Sequence, residues 1–151
     1  MRLALASDHA GYDLKEELAA DLARAGHLVE DLGTHSREPV DYPDAGEAVG
    51  EAVRSGLVER AIVVCGSGAG VCVAANKIPG VRAAVCHDTY TAHQAVEHDD
   101  LNVLCLGSRV VGAALAAEIV TAFVAARFSG EERHRRRLDK VLDIERRYLR
   151  T

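Results

Sequence analysis

The chain contains no tryptophan, only two phenylalanines and four tyrosines. So few aromatic rings leave no stacking platform for nucleobases. The net charge of −5 likewise lacks the basic excess of a general nucleic-acid binder. Four cysteines (Cys65, Cys72, Cys86 and Cys105) form no CxxC pair and no zinc-like spacing. They lie in apolar stretches, as expected of reduced thiols in a cytoplasmic protein. No apolar run approaches the ~18 residues of a membrane span, and the short run after Met1 is too brief for a signal-peptide core. There is no internal repeat, low-complexity stretch or linker, so 151 residues are expected to form one domain, 1–151.

What is present is an alternation of strand-length apolar runs with helical patterns. Leu3–Ala6, His27–Leu32, Ala61–Cys65, Val81–Cys86 and Val103–Leu106 read as five strands. Leu14, Leu18, Leu22 and Ala25 recur at helical spacing before Gly26, and Pro43 can open a second helix that closes at Gly56. A third helix follows the glycines after Cys65 and ends near Lys77, and a fourth precedes strand five. Two more, 113–127 and 131–148, finish the chain. Strand three is apolar throughout, as in a parallel sheet covered on both faces. The pattern predicts a doubly wound α/β fold: a five-stranded parallel sheet with helices on both faces, a Rossmann-like three-layer sandwich. Such sheets bind ligands beyond the carboxyl ends of strands. Asp8 and His9, Cys65 to Ser67, and His98 are expected there. Helix 113–127, Ala-rich and apolar around most of its circumference, reads as buried all round and suggests a subunit interface.

Cys65 stands at the mouth of Gly66-Ser67-Gly68-Ala69-Gly70. A strand, a glycine-rich turn and a helix aim several backbone N–H groups at one point, which suits a phosphate or a developing oxyanion. A thiol there is favoured as thiolate and available as a base or nucleophile. By spacing alone, Cys65 equally well reads as one more buried strand residue beside a tight turn. Dinucleotide binding fits poorly, because the third glycine is Gly70 where the fingerprint needs position 71, and no Gly-Lys-Ser/Thr follows for a P-loop. In the arginine-rich segment, Glu131 can pair with Arg135 and Glu132 with Arg136. Arg133 and Arg137 share a face with no carboxylate three or four residues away. Two unpaired guanidinium groups in the first turns of a helix suit a phosphate better than a bare surface, although a solvated basic face is the usual fate of such runs. His27, His35, His87 and His93 have no partner visible in the sequence, and no metal-ligand spacing stands out.

At these residues the chain resembles the type B ribose-5-phosphate isomerases, the group that also contains the subunits of galactose-6-phosphate isomerase. The likeness runs nearly end to end. It rests on Ser7-Asp8-His9-Ala10-Gly11, Asp41-Tyr42-Pro43, the segment Cys65 to Gly70, Ala74-Ala75-Asn76-Lys77, and Asn102 followed by Gly107-Ser108-Arg109-Val110-Val111-Gly112. The resemblance implies a ketol-isomerase without metal or cofactor, a homodimer or dimer of dimers, with sites lined by two subunits. Cys65 would move the proton between C2 and C1. Amides of Gly66, Gly68, Ala69 and Gly70, with the Ser67 hydroxyl, would stabilise the enediolate. His98 would open the furanose, and Asp8 would relay protons between O1 and O2. His9, Arg109, Arg133 and Arg137 would hold the phosphate, with Tyr42 and Asp99 also contacting substrate. Helix 131–148 would serve both the dimer and the phosphate site.

Two positions distinguish this chain. One branch of the family uses a Glu base just after the glycine loop, where this chain has Val71. The family usually reads His-Asn-Asp where this chain has His98-Asp99-Asp100, and a carboxylate accepts hydrogen bonds where an amide could donate. Ribose 5-phosphate is therefore the first expected substrate, with a tetrulose, allose or galactose phosphate as the alternative. A non-catalytic sugar-phosphate sensor or a dehydrogenase would not need a thiol together with His98 and Asp8.

Overall fold

The computed structural model describes residues 1–149. Five parallel strands, β1 (Arg2–Ser7), β2 (Leu28–Asp31), β3 (Arg60–Cys65), β4 (Ala83–Val85) and β5 (Val103–Gly107), stand in the order β2-β1-β3-β5-β4. The helices are α1 (Tyr12–Arg24), α2 (Tyr42–Arg54), α3 (Ala69–Ala75), α4 (Thr89–Asp99), α5 (Ala113–Ala125) and α6 (Glu132–Tyr148). The doubly wound sheet read from the sequence is thus the observed one.

Strand periodicity divides the core in two. One face carries the larger side chains, Leu3, Leu5, Ile62, Val64, Leu104 and Leu106, under α1, α4 and α5. The other carries smaller ones, Ala4, Ala6, Ala61 and Val63, under α2 and α3. On that side the helices also meet closely. A Cβ on Gly46 would stand 2.7 Å from the Ala74 methyl, so α2 and α3 touch through a glycine.

Three departures from the sequence reading have physical causes. Strand β4 is shorter than 81–86, because Arg82 is committed to Asp100 and Asn102 rather than to a ladder. Helix α5 ends at Ala125, where the buried Arg60 guanidinium collects the carbonyls of Phe123, Val124 and Ala126. It is also not buried all round. Ala116, Ile119, Val120, Phe123 and Val124 form one buried stripe, while Leu115 on another side is exposed. The burial expected of its whole circumference is therefore absent within one chain. The helix that does show an unpartnered apolar face is α6, where Val141, Ile144 and Tyr148 are 51%, 51% and 76% exposed.

Candidate active site

The strand order reverses between β1 and β3, since β1 leads outward to β2 and the chain then returns to β3 on the other side. That crevice is where open α/β sheets bind ligands. Asp8 follows β1 and Cys65 ends β3, so the two flank it.

The loops here are held by short contacts that tolerate little side chain. The Asp8 N–H donates to the Val64 carbonyl at 3.2 Å, and Asp8 Oδ1 accepts the Gly11 N–H at 3.0 Å. Position 11 admits only glycine without rearrangement, because a Cβ would lie 2.5 Å from the Val64 oxygen. The glycine loop rests directly on the end of β5. Gly68 adopts φ +80°, and its Cβ would meet the Leu106 carbonyl carbon at 2.9 Å. Such a φ and such an approach both call for glycine.

Cys65 is nearly buried, and its Sγ accepts the Gly68 N–H at 3.1 Å. The thiolate is the form of a cysteine that removes protons. Ser67 Oγ accepts the Ala69 N–H at 3.2 Å. Tyr42, at the start of α2, lays its ring over Gly70, with ring carbons 2.8–3.0 Å from where a Cβ would be. Arg109 reaches the same loop: its N–H donates to the Gly66 carbonyl at 3.0 Å and its guanidinium stands over Gly66. His9 Nδ1 lies 3.2 Å from both the N and O of Val40, fixing its ring to the loop before α2.

Two residues of this centre were not assigned roles from the sequence. Ser108 Oγ donates to the Ala10 carbonyl at 2.7 Å, tying the Asp8 loop to the β5 loop. His87 Nε2 accepts the Gly107 N–H at 3.0 Å and holds the corner on which the glycine loop rests. Each partner is distant in sequence, so spacing carried no signal for either.

The remaining predicted residues lie elsewhere. Helix α4 starts just after β4 at the carboxyl end of the sheet and runs back to the amino end of β5. His98 and Asp99 are therefore at the amino ends of the strands, which corrects the placement of His98 with Cys65. Helix α6 begins at that same end and packs against α4. The His98 ring stacks on His134, centroids 4.0 Å apart and 26° between planes, and its Nδ1 is 2.8 Å from Gln94 Nε2. His134 is buried, with Nδ1 2.5 Å from Ser129 Oγ. Burial, followed by the neighbouring charges of His98 and Arg133, holds the His134 pKa below its usual value. Arg133 is not unpaired as expected. It binds Glu131 two residues earlier at 2.9 Å, so Glu131 pairs with it rather than with Arg135. Arg137, exposed on the next turn, has no carboxylate partner among the described residues. The residues singled out from the sequence thus fall into two groups at opposite ends of the sheet: Asp8, His9, Tyr42, Cys65 to Gly70 and Arg109 at one, and His98, Asp99, Arg133 and Arg137 at the other.

Comparison with known proteins decides the family. The model of the family described as Ribose/Galactose Isomerase matches residues 3–141.

The chain belongs to that family.

The ribose-5-phosphate isomerase B of Escherichia coli is 44% identical over 146 residues, covering 97% of each chain. The D-erythrulose-4-phosphate isomerase of Pectobacterium atrosepticum is 39% identical over 134 residues, covering 86% of each. Among solved structures, ribose-5-phosphate isomerase B of Clostridium thermocellum superposes with a TM-score of 0.96 at 51% identity, covering 98% of this chain and 99% of that one. The Mycoplasma genitalium enzyme, solved with bound ribulose-5-phosphate, gives 0.91 at 40% identity, covering 96% of each. Membership of the ribose/galactose isomerase family makes the chain an intramolecular oxidoreductase, a ketol-isomerase of sugar phosphates. No helix among the described residues is long and apolar enough to cross a membrane.

Proposed function

We propose that this isomerase interconverts ribose 5-phosphate and ribulose 5-phosphate through a cis-enediolate, with Cys65 as the base. The observation that carries this reading is the Gly68 N–H aimed at Cys65 Sγ at 3.1 Å, in the glycine loop at the end of β3 beside the β1/β3 crevice. A thiolate so held can take the proton from C2 and return it at C1. The enediolate charge then meets the amides of Gly66 to Gly70, where a preorganised donor contributes about 3–4 kcal/mol to the transition state. Asp8, with Oδ1 occupied by the Gly11 N–H, keeps its second oxygen to move protons between O1 and O2.

Ring opening and phosphate binding require the other half-site. Arg109 and His9 stand beside Cys65, whereas His98, Asp99, Arg133 and Arg137 stand at the far end of the same sheet. A second copy turned end over end brings the two sets together, and its His98 can protonate the furanose ring oxygen. The exposed face of α6 formed by Val141, Ile144 and Tyr148 supports that homodimer, since an apolar stripe of this kind calls for a partner. A homodimer with composite sites is therefore part of the proposal, in which α6 serves both the interface and the phosphate.

A second substrate is favoured by one observation: relatives at 39% and 37% identity are D-erythrulose-4-phosphate isomerases. The same proton transfer serves a tetrulose phosphate, and the exposed Asp99 carboxylate is placed to accept from a sugar hydroxyl. Steady-state kcat/KM for ribose 5-phosphate against erythrulose 4-phosphate tests the assignment. A higher value for ribose 5-phosphate is expected. A higher value for the tetrulose would reassign the substrate and retain the chemistry.

A further inference from the structure

Among the described residues, Lys15 in α1 is the only charged side chain with no exposure at all. Its Nζ donates to the two oxygens of Asp31, at the end of β2, at 2.6 and 2.8 Å, and to Glu16 Oε1 at 2.8 Å. Burial raises the Asp31 pKa, but the bonds from Lys15 and Gly33 outweigh it and hold the carboxyl below its usual value, so Asp31 is ionised at neutral pH. A buried ion pair is a poor source of stability, because well-packed apolar residues of similar volume often serve as well or better. What this pair adds is connection, since two strings of hydrogen bonds run from it to Asp8. Along one, the Lys15 N–H donates to the Gly11 carbonyl at 2.9 Å, and the Gly11 N–H donates to Asp8 Oδ1 at 3.0 Å. Along the other, Asp31 Oδ1 accepts the Gly33 N–H at 3.0 Å, and the Gly33 carbonyl accepts the Ser7 N–H at 2.7 Å. The Thr34 N–H then donates to the Ser7 carbonyl at 2.9 Å, which belongs to the peptide joining Ser7 to Asp8. The Lys15–Asp31 contact joins the two strings and closes a ring around Asp8.

We propose that Lys15, acting through Asp31, is a positioning residue that fixes where the second carboxylate oxygen of Asp8 lies. This role rests on the reaction proposed above, in which Cys65 moves the carbon-bound proton and Asp8 the oxygen-bound one. Once Cys65 has taken the proton from C2, the O2 proton must reach O1 for the ketose to form as a proton is added at C1. With Asp8 displaced, that transfer fails, the enediolate takes a proton back at C2, and the aldose is regenerated. A displacement of about 1 Å is enough to slow a positioned step by up to about 100-fold. Cys65 stands outside the ring, held by the Gly68 N–H, so removal of the C2 proton continues. His9 is tied to Val40, and the loop that carries Val40 has its own anchor in Arg37, 2.7 Å from Asp13. Phosphate binding is therefore independent of the ring.

The test combines Lys15→Met with Asp31→Asn, which removes both charges, keeps the volume and leaves an oxygen for the Gly33 N–H. Ribose 5-phosphate is turned over in deuterium oxide, and NMR follows product formed and deuterium gained at C2 of the remaining substrate, in the initial phase before product returns. In the double variant kcat should fall about 10- to 100-fold. The ratio of C2 exchange to product formation should rise above that of wild-type protein, with unchanged affinity for inorganic phosphate and a Tm near the wild-type value. Lys15→Met alone is the second variant, because its uncompensated Asp31 carboxylate is 34% exposed and can be hydrated; the same rise in ratio is expected. An exchange ratio equal to that of wild-type protein would overturn the proposal, whether turnover is unchanged or falls together with exchange. A lowered Tm with that unaltered ratio would assign Lys15 to the fold alone. Wild-type protein that neither turns over nor exchanges ribose 5-phosphate would instead count against the proposed function.

Discussion

Subunit complementation tests the composite site most sharply. Within one chain, α4 separates the carboxyl end of the sheet from His98. Its 11 residues span about 16 Å at 1.5 Å per residue, far beyond hydrogen-bond reach of about 3 Å. The two half-sites of a chain therefore cannot serve the same substrate. Consider Cys65→Ala and His98→Ala subunits, each inactive alone. In a mixed dimer, one site receives Cys65 from the His98→Ala chain and His98 from the Cys65→Ala chain, and is intact. The other site carries both defects. Random mixing at equal amounts makes half the dimers mixed, each with one good site of two, so about a quarter of wild-type activity should return. The assay is co-refolding of the two variants followed by a turnover measurement, with each variant refolded alone as control. Activity that stays at the level of the separate variants at every mixing ratio, although mixed dimers are recovered, would refute the composite arrangement.

Other perturbations give independent checks. Arg137→Ala should raise KM about 10- to 100-fold with a smaller effect on kcat, the loss of one charge-assisted contact to phosphate, and inorganic phosphate should compete with substrate. An unchanged KM would remove Arg137 from the phosphate site. Gly11→Ala forces a methyl against the Val64 oxygen and should cost about 1–3 kcal/mol. Thermal unfolding should register this as a Tm lowered by roughly 2–4 °C per kcal/mol, and an unchanged Tm would contradict the packing argument. The folded-state pKa of His134 lies below the unfolded value of 6.5. The unfolded chain thus binds the proton more readily, and the stability this residue contributes is present above pH 6.5 and lost as pH falls below it. Groups facing it are Ser129, His98, Arg133, Glu131 and Arg137. Denaturant titrations between pH 7.5 and 5.5 should show this decline, flattened in His134→Leu, and equal slopes in both proteins would refute the assignment.

Local pattern made much of the architecture legible. Fully apolar runs such as Ala61–Cys65 announced a covered parallel sheet, and Gly26, Gly56 and Pro43 marked helix boundaries. The Cys65 loop was readable because strand, glycines and helix follow one another without a break, so chemistry and geometry share one segment. What escaped depends on contacts distant in sequence. Helix α5 ends early because Arg60, on a strand more than sixty residues away, takes its last carbonyls. His87 and Ser108 act on partners 20 and 98 residues distant. Arg133 looked unpaired because helical spacing examines neighbours three and four residues away, whereas Glu131, just outside the helix, reaches it from two residues back. His98 was misplaced for a related reason. Its position before β5 fixes it at the amino end of the sheet, and the proposed homodimer is what would bring it to the Cys65 of a second copy.

The central claim is that Cys65 moves the proton. Its most direct test is exchange of substrate hydrogen with solvent deuterium during ribose 5-phosphate turnover, followed by NMR, in wild-type protein and in Cys65→Ala, with phosphate binding measured in parallel. Wild-type protein should incorporate deuterium at the transferred position. Cys65→Ala should bind phosphate with similar affinity while both turnover and exchange are lost. Retained exchange and turnover in Cys65→Ala would contradict the account and assign the proton to another group.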